Sequence, residues 1–232
     1  MSLPQISQPH TNVVLPTGRK IKIRPFIGAE EKALLMAKQS NVQEDKITAA
    51  IDVLSSCSGI DASELCMTDF EFLFMKEYEI SVSQKIDAKL RCKNTECEEL
   101  MQVAIPLDKI EVPEIDTSDK TIEVGKDDTG KQVRLFLKIP TVGDSIKFTG
   151  DKDGDVKLIF ESLKGIYADE DECEIESYEE FSKWMMSQTN VYRECASFIN
   201  SVPRISFERT WKCPSCEHEN NTVIKGFESF FS

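Results

Sequence analysis

Eight cysteines stand in this chain, and four of them come as two short-spaced pairs, Cys92-Lys93-Asn94-Thr95-Glu96-Cys97 and Cys213-Pro214-Ser215-Cys216. A tetrahedral Zn²⁺ takes four soft ligands at about 2.3 Å, and a thiolate pair two to four residues apart supplies two of them from one tight turn. Two such turns complete a closed Cys₄ set with no position for a substrate, so the expected role is structural. The candidate metal ligands are therefore Cys92, Cys97, Cys213 and Cys216, with Zn²⁺ as the expected cofactor. Cys97 and Cys213 are separated by 115 residues, against about 15–20 in the usual compact pattern. The reading thus requires two distant hairpins to meet in space. Unrelated pairs, or two separate redox-active pairs, are the alternatives. A shared metal would staple early and late parts of the chain together and couple its binding to folding.

The other cysteines, Cys57, Cys66, Cys173 and Cys195, stand alone and read as small core residues. Only His10 and His218 are available, so a Cys–His catalytic pair is hard to assemble. His218 follows Cys216 by two residues and reads as a loop histidine. Two stretches imitate chemistry without supplying it. Gly125-Lys126-Asp127-Asp128-Thr129-Gly130-Lys131 approaches a phosphate-binding loop, but Gln132 stands where a Ser or Thr would hold Mg²⁺, and two aspartates occupy the phosphate position. It reads as a hairpin turn. Asp151-Lys152-Asp153-Gly154-Asp155 hints at a calcium loop, yet Val156 and Ser162 fill the positions that need Gly and a bidentate Glu. No catalytic constellation emerges, and no catalytic residue is assigned.

The elements that must position these residues follow from composition and periodicity. The chain has 232 residues, 40% hydrophobic and 30% charged, with a net charge of −13, an ordinary globular balance. Such acidity argues against phosphate-backbone binding, although Phe207, Trp211 and Lys212 beside the second pair could stack bases. No apolar run of about 18 residues occurs, so no membrane span is expected. The opening lacks a signal-peptide pattern, and a cytosolic protein is the expectation. Charge is uneven. Residues 1–26 carry four cations and no anion, whereas residues 169–180 carry eight anions and no cation. The acidic block reads as a solvated loop entering a helix, with an acidic patch for a basic partner as the alternative.

Periodicity predicts a strand over 19–24, then three helices by residue 80: one opening at Ala29, one striped by Ile47, Ala50, Ile51 and Leu54, and one capped by Thr68 with Glu71. Strands are expected at 85–91 and 100–107 around the first cysteine pair, with a hairpin at 121–124 and 133–139. Helices return around Val156 to Leu163, stopped by Gly165, then from a Ser177/Glu180 capping box, then from Val191 to Ile199 before Pro203. Strands at 204–212 and 222–227 flank the second pair. Three phenylalanines, Phe227, Phe230 and Phe231, fall in the last six residues and suit packing on the chain itself or docking in a partner.

The predicted fold class is α+β: a helical layer packed on a zinc-ribbon-like β unit made by two distant Cys-bearing hairpins, with an inserted β-hairpin and helices. The expected organisation is an extended arm at 1–18 and a single domain over 19–232. Within that domain, 19–80 is a strand plus three helices, 81–112 with 204–232 is the zinc-ribbon unit, and 113–203 is the insertion.

Leu15-Pro16-Thr17-Gly18, Ile23-Arg24-Pro25-Phe26, Glu30-Glu31-Lys32 and Leu34-Leu35-Met36-Ala37 resemble the opening of the T4-type bacteriophage baseplate hub subunit, or hub-assembly protein, family. The paired cysteine knuckles and the closing Gly226…Phe230-Phe231 are similar to that family as well. The resemblance implies a non-enzymatic role in assembling the hub region of a contractile-tail baseplate, with other phage hub proteins as partners. It places assembly in the host bacterial cytoplasm and leaves persistence in the virion open. The alternative is a zinc-ribbon nucleic-acid-binding adaptor.

Overall fold

The computed structural model describes residues 6–226 and Ser229. Along the chain run β1 (Thr11–Val14), β2 (Lys20–Ile23), α1 (Gly28–Lys38), α2 (Gln43–Ser58), α3 (Met67–Ser81), β3 (Lys85–Arg91) and β4 (Leu100–Pro106). Next come β5 (Lys120–Lys126), β6 (Gln132–Leu137), α4 (Val142–Lys147), α5 (Gly154–Glu161), β7 (Leu163–Ala168) and β8 (Asp171–Cys173). The described elements close with α6 (Tyr178–Ser187), α7 (Val191–Asn200), β9 (Ser206–Lys212) and β10 (Glu219–Lys225). The protein is thus a mixed α and β structure of helices and several small sheets. It divides into two compact units. The first comprises Met1–Ala62, Thr68–Glu114 and Arg204–Ser232, the second Ser63–Met67 and Ile115–Pro203. Among the described residues, no helix is long and apolar enough to cross a membrane.

In the first unit, three antiparallel hairpins form: β1 with β2, β3 with β4, and β9 with β10. Within the expected arm at 1–18, residues 11–15 are not simply extended chain, because β1 pairs with β2 and Leu15 is only 2% exposed. Gly18 makes the reversal possible at φ +86°, a conformation that costs glycine little. Thr17 then anchors the turn, its hydroxyl and N–H both donating to Asp69 on α3. The expected cap at Thr68 is also corrected. α3 starts at Met67, so Thr68 lies inside the helix, and the Glu71 carboxylate accepts from Ile205 N–H at 3.0 Å and pairs with Arg204. A buried carboxylate that takes a backbone N–H and an ion pair satisfies its polar atoms in the interior. That contact ties α3 to the segment entering β9. Glu111 and Ser206 exchange backbone hydrogen bonds of 2.7 and 3.1 Å, joining the chain after β4 to the start of β9. Met75, Ile86, Leu90, Val103, Ile105, Ile205, Trp211 and Ile224 form one apolar cluster beneath the β3–β4 and β9–β10 hairpins.

The second unit is a four-stranded antiparallel sheet in the order β5-β6-β7-β8, with Ile122, Leu135 and Ile166 packing against Ile159, Phe181 and Met185 of the helices. The Asp127–Gly130 turn closes β5–β6, with Asp127 accepting from Thr129 and Lys131 N–H groups. Gly165 does not stop a helix; it lies buried within β7, where a Cβ would come 2.8 Å from the Tyr167 ring. The acidic block is partly strand, since Asp171–Cys173 is β8. Ser177 caps α6 as expected, accepting from Glu180 N–H at 3.2 Å, while Glu180 reaches one residue further back, to Glu176 N–H. Phe227, Phe230 and Phe231 lie outside the described residues.

Beneath β2, α1 and α2, Arg24 makes a two-pronged pair with Glu30 at 2.7 and 2.9 Å, and Ser56 and Cys57 donate to the same carboxylate. The Arg24 guanidinium holds the Glu30 carboxyl down at about 2. Glu77 of α3 is fully buried, and neither carboxyl oxygen has a hydrogen-bond partner. Burial raises its pKa to about 8, opposed by Arg24 and reinforced by Glu30. Between the unfolded value of about 4.5 and the folded value near 8, folding takes up one proton, so stability must fall as pH rises across that window, by at most about 1.4 kcal/mol per unit. Urea unfolding of the wild type between pH 5 and pH 8 is expected to show this decline. Glu77→Gln, which cannot ionise, is expected to remove that contribution and to lose less stability across the window.

Candidate metal centre

The two expected cysteine pairs sit in the loops of two hairpins. Cys92 and Cys97 lie between β3 and β4, which pair from Lys85↔Pro106 to Arg91↔Leu100. Cys213 and Cys216 lie between β9 and β10, which pair from Ser206↔Lys225 to Lys212↔Glu219. Alternating side chains set the faces: Ile86 and Leu90 of β3 and Trp211 of β9 point into the common apolar cluster, so both loops emerge beside one another.

The structure brings all four sequence-predicted sulfurs together, within 4.8 Å of one another. Cys92 Sγ lies 3.7 Å from Cys216 Sγ, and Cys97 Sγ lies 3.7 Å from Cys213 Sγ. Metal–sulfur bonds of about 2.3 Å imply a tetrahedron edge of about 3.8 Å, so the spacing fits a central ion. It does not fit disulfides, whose sulfurs lie about 2.05 Å apart, and all four cysteines are free. Cys92 and Cys213 are buried at 4% and 1% exposure, while Cys97 is half-buried and Cys216 exposed.

Backbone geometry shapes each loop. Cys92 N–H donates to Glu99 O, Cys97 N–H to Asn94 O, and Cys213 N–H to His218 O, at 2.9–3.0 Å. Glu217 takes a φ of +57° and its N–H returns to Cys213 O at 2.9 Å, which turns the second loop back on itself. His218 takes part through its carbonyl and lies outside the sulfur cluster. Across the loops, Ser215 Oγ donates to Glu99 Oε2 at 2.6 Å, and Lys93 Nζ donates to Asn221 O.

The sulfurs do not ionise alike. Cys216 is drawn down to about 7, first by the backbone N–H of His218, then by Asn94. At Cys97 the backbone N–H of Glu99 favours the thiolate, yet desolvation and the three neighbouring sulfurs push it up to about 12. Crowded thiols resist losing four protons, and a divalent cation reverses that resistance by making each thiolate a ligand. By contrast, burial pushes the thiols of Cys57 and Cys195 up to about 12, reinforced at Cys57 by the Glu77 and Glu30 carboxylates; Cys195 is a small core residue. Cys66 and Cys173 are only half-buried.

Asn220 is the site residue that sequence reasoning missed. It is 1% exposed on β10, where a polar side chain normally turns outward. Its amide nitrogen donates to His218 O at 3.0 Å and lies 3.7 Å from Cys92 Sγ, and its oxygen accepts from Lys93 N–H at 2.8 Å. One amide therefore joins the second loop to the first and aims a donor at a sulfur. Pattern alone gives no signal for it, because the role depends on the register that sets Asn220 opposite Trp211.

Among known families, the model described as T4 bacteriophage base plate protein matches residues 8–232. No curated protein and no solved structure matches the chain.

Partners around a metal site orient the ligands and commonly carry 10–100-fold in affinity. Asn220→Leu removes three hydrogen bonds while keeping an apolar body of similar size. Competition with a chromogenic chelator is expected to show at least about tenfold weaker metal retention for this variant, whereas Asn221→Ala at the exposed neighbouring position stays close to wild type.

Proposed function

The chain belongs to the T4 bacteriophage base plate protein family, and from that membership we propose that it is a structural or assembly protein of the hub region of the contractile tail, acting by association with other hub proteins. It is a phage base plate protein; its place at the hub is the finer part of the reading. In this account Cys92, Cys97, Cys213 and Cys216 hold one structural Zn²⁺, and the two hairpins with their apolar cluster act as a zinc-ribbon-like β unit. The sulfur cluster carries the reading. Four thiol ligands around one point suit zinc. They leave no coordination position for a reacting molecule, so the ion supplies folding free energy rather than chemistry. Assembly takes place in the host bacterial cytoplasm, where thiols stay reduced and available as ligands.

The residues of this chain then have simple roles. The four cysteines hold the ion, Asn220 and the loop N–H groups orient them, and the apolar cluster under Trp211 keeps the hairpins in register. Trp211 is buried with its indole N–H donating to Thr222 Oγ1 at 3.1 Å. The ring is thus turned away from any base-stacking role, which counts against a nucleic-acid adaptor.

Two measurements test this. Single Cys→Ser changes at positions 92, 97, 213 and 216 are expected to abolish one equivalent of bound zinc and to lower the thermal midpoint by about 6–12 °C, for a loss of about 3 kcal/mol. Cys66→Ser is expected to keep the zinc. Co-expression with the other hub proteins of the same phage, followed by native mass spectrometry, is expected to give a defined complex. A chain that stays alone in every combination contradicts the association reading.

A further inference from the structure

The second unit carries a surface to which the metal centre gives no role. β8 is the outer strand of its sheet, pairing with β7 and, among the described residues, with no other strand. An open edge offers unpaired N–H and C=O groups to any extended chain, and proteins guard such edges with charge. Here the guard is strongly one-sided: residues 169–180 hold eight carboxylates and no cation. Lys131 reaches Asp171 at 2.5 Å, which leaves the remaining acids in excess.

Beside this edge lies a cavity of about 250 Å³, with Ile166, Phe181 and Trp184 among its apolar walls. Asp127, Glu174 and Glu180 contribute carboxylates to the lining, and no Lys or Arg does. Small-molecule sites usually occupy about 300–1,000 Å³, so the space suits one large apolar side chain better than a cofactor. The strand register explains how edge and cavity act together. Cys173 stands opposite Ile166 on the cavity side, whereas Glu172 stands opposite Tyr167 on the other face. Side chains of an added strand alternate in the same way.

We propose that the β8 edge and its adjoining cavity form a docking site for an extended cationic segment of a protein partner, one in which large apolar residues alternate with lysine or arginine. Added along β8, such a segment completes a five-stranded sheet by backbone pairing. Its apolar side chain enters the cavity, and its cations meet Glu172, Glu174 and neighbouring carboxylates. The same charges repel nucleic acid and a second copy of this edge, which makes the site selective as well as attractive. The inference rests on the reading that the protein works by association, and it names the surface and the partner's chemistry.

The test titrates the peptide Lys-Phe-Lys-Leu-Lys-Val-Lys, capped at both ends, into the full chain labelled with ¹⁵N. Amide shifts are expected to cluster in residues 166–184, with binding weakened by salt. A peptide of equal composition but with its four lysines in one block is expected to bind at least about tenfold more weakly, as is the alternating peptide to a Glu172→Lys, Glu174→Lys double variant with unchanged thermal unfolding. Equal binding of both peptides, shifts scattered over the acidic surface, or no binding overturns the proposal. Co-purification separates the two claims. If hub partners associate equally with wild type and double variant, this surface is wrong and the association reading stands; if they ignore the wild type, the association reading itself fails.

Discussion

Four sulfur atoms crowded within 4.8 Å are the constraint on which the first unit depends. Thiolates that close repel one another, and neutral thiols that close gain little, so the arrangement calls for a cation at its centre. The loops that supply the sulfurs are 115 residues apart in sequence. Closing a loop of that size costs entropy that only grows slowly with length, and metal–thiolate bonding is strong enough to offset it. Everything nearby serves that closure: the shared apolar cluster, the Glu111–Ser206 bridge, the Glu71 carboxylate on Ile205 N–H, and the Asn220 amide between the loops.

The legibility of these features in the sequence follows their locality. The cysteine knuckles are local, as are the strands on either side of them, and β3 runs over the same residues that alternation marks out. The stripes of α2, α6 and α7 are equally local. Features set by distant pairing escape. The apolar stripe Val156, Ile159, Phe160 continues to Leu163, which hides the start of β7, and only the pairing of Ile166 with Leu135 and Cys173 defines that strand. Glu71 three residues after Thr68 imitates a capping pair, yet its carboxylate is drawn to Arg204 and Ile205, more than 130 residues away in sequence. Three prolines disguise the short strand β1 as an arm.

Two kinds of buried polarity thus serve different ends in the first unit. The Arg24–Glu30 pair and the Glu71–Ile205 contact are satisfied and fix how elements meet, whereas Glu77 is buried without a partner and makes stability depend on pH. A base plate protein that acts by association needs a rigid body more than a reactive centre. The hairpins that meet at the four sulfurs suit that need, and the acidic edge of the second unit is the surface proposed for a partner.

X-ray absorption at the zinc K-edge of protein purified without added metal tests the central claim most directly. The account predicts one zinc per chain with four sulfur scatterers at about 2.3 Å and no nitrogen or oxygen in the coordination sphere. A mixed shell, a fourth ligand from solvent, or protein that folds fully with no metal bound contradicts it.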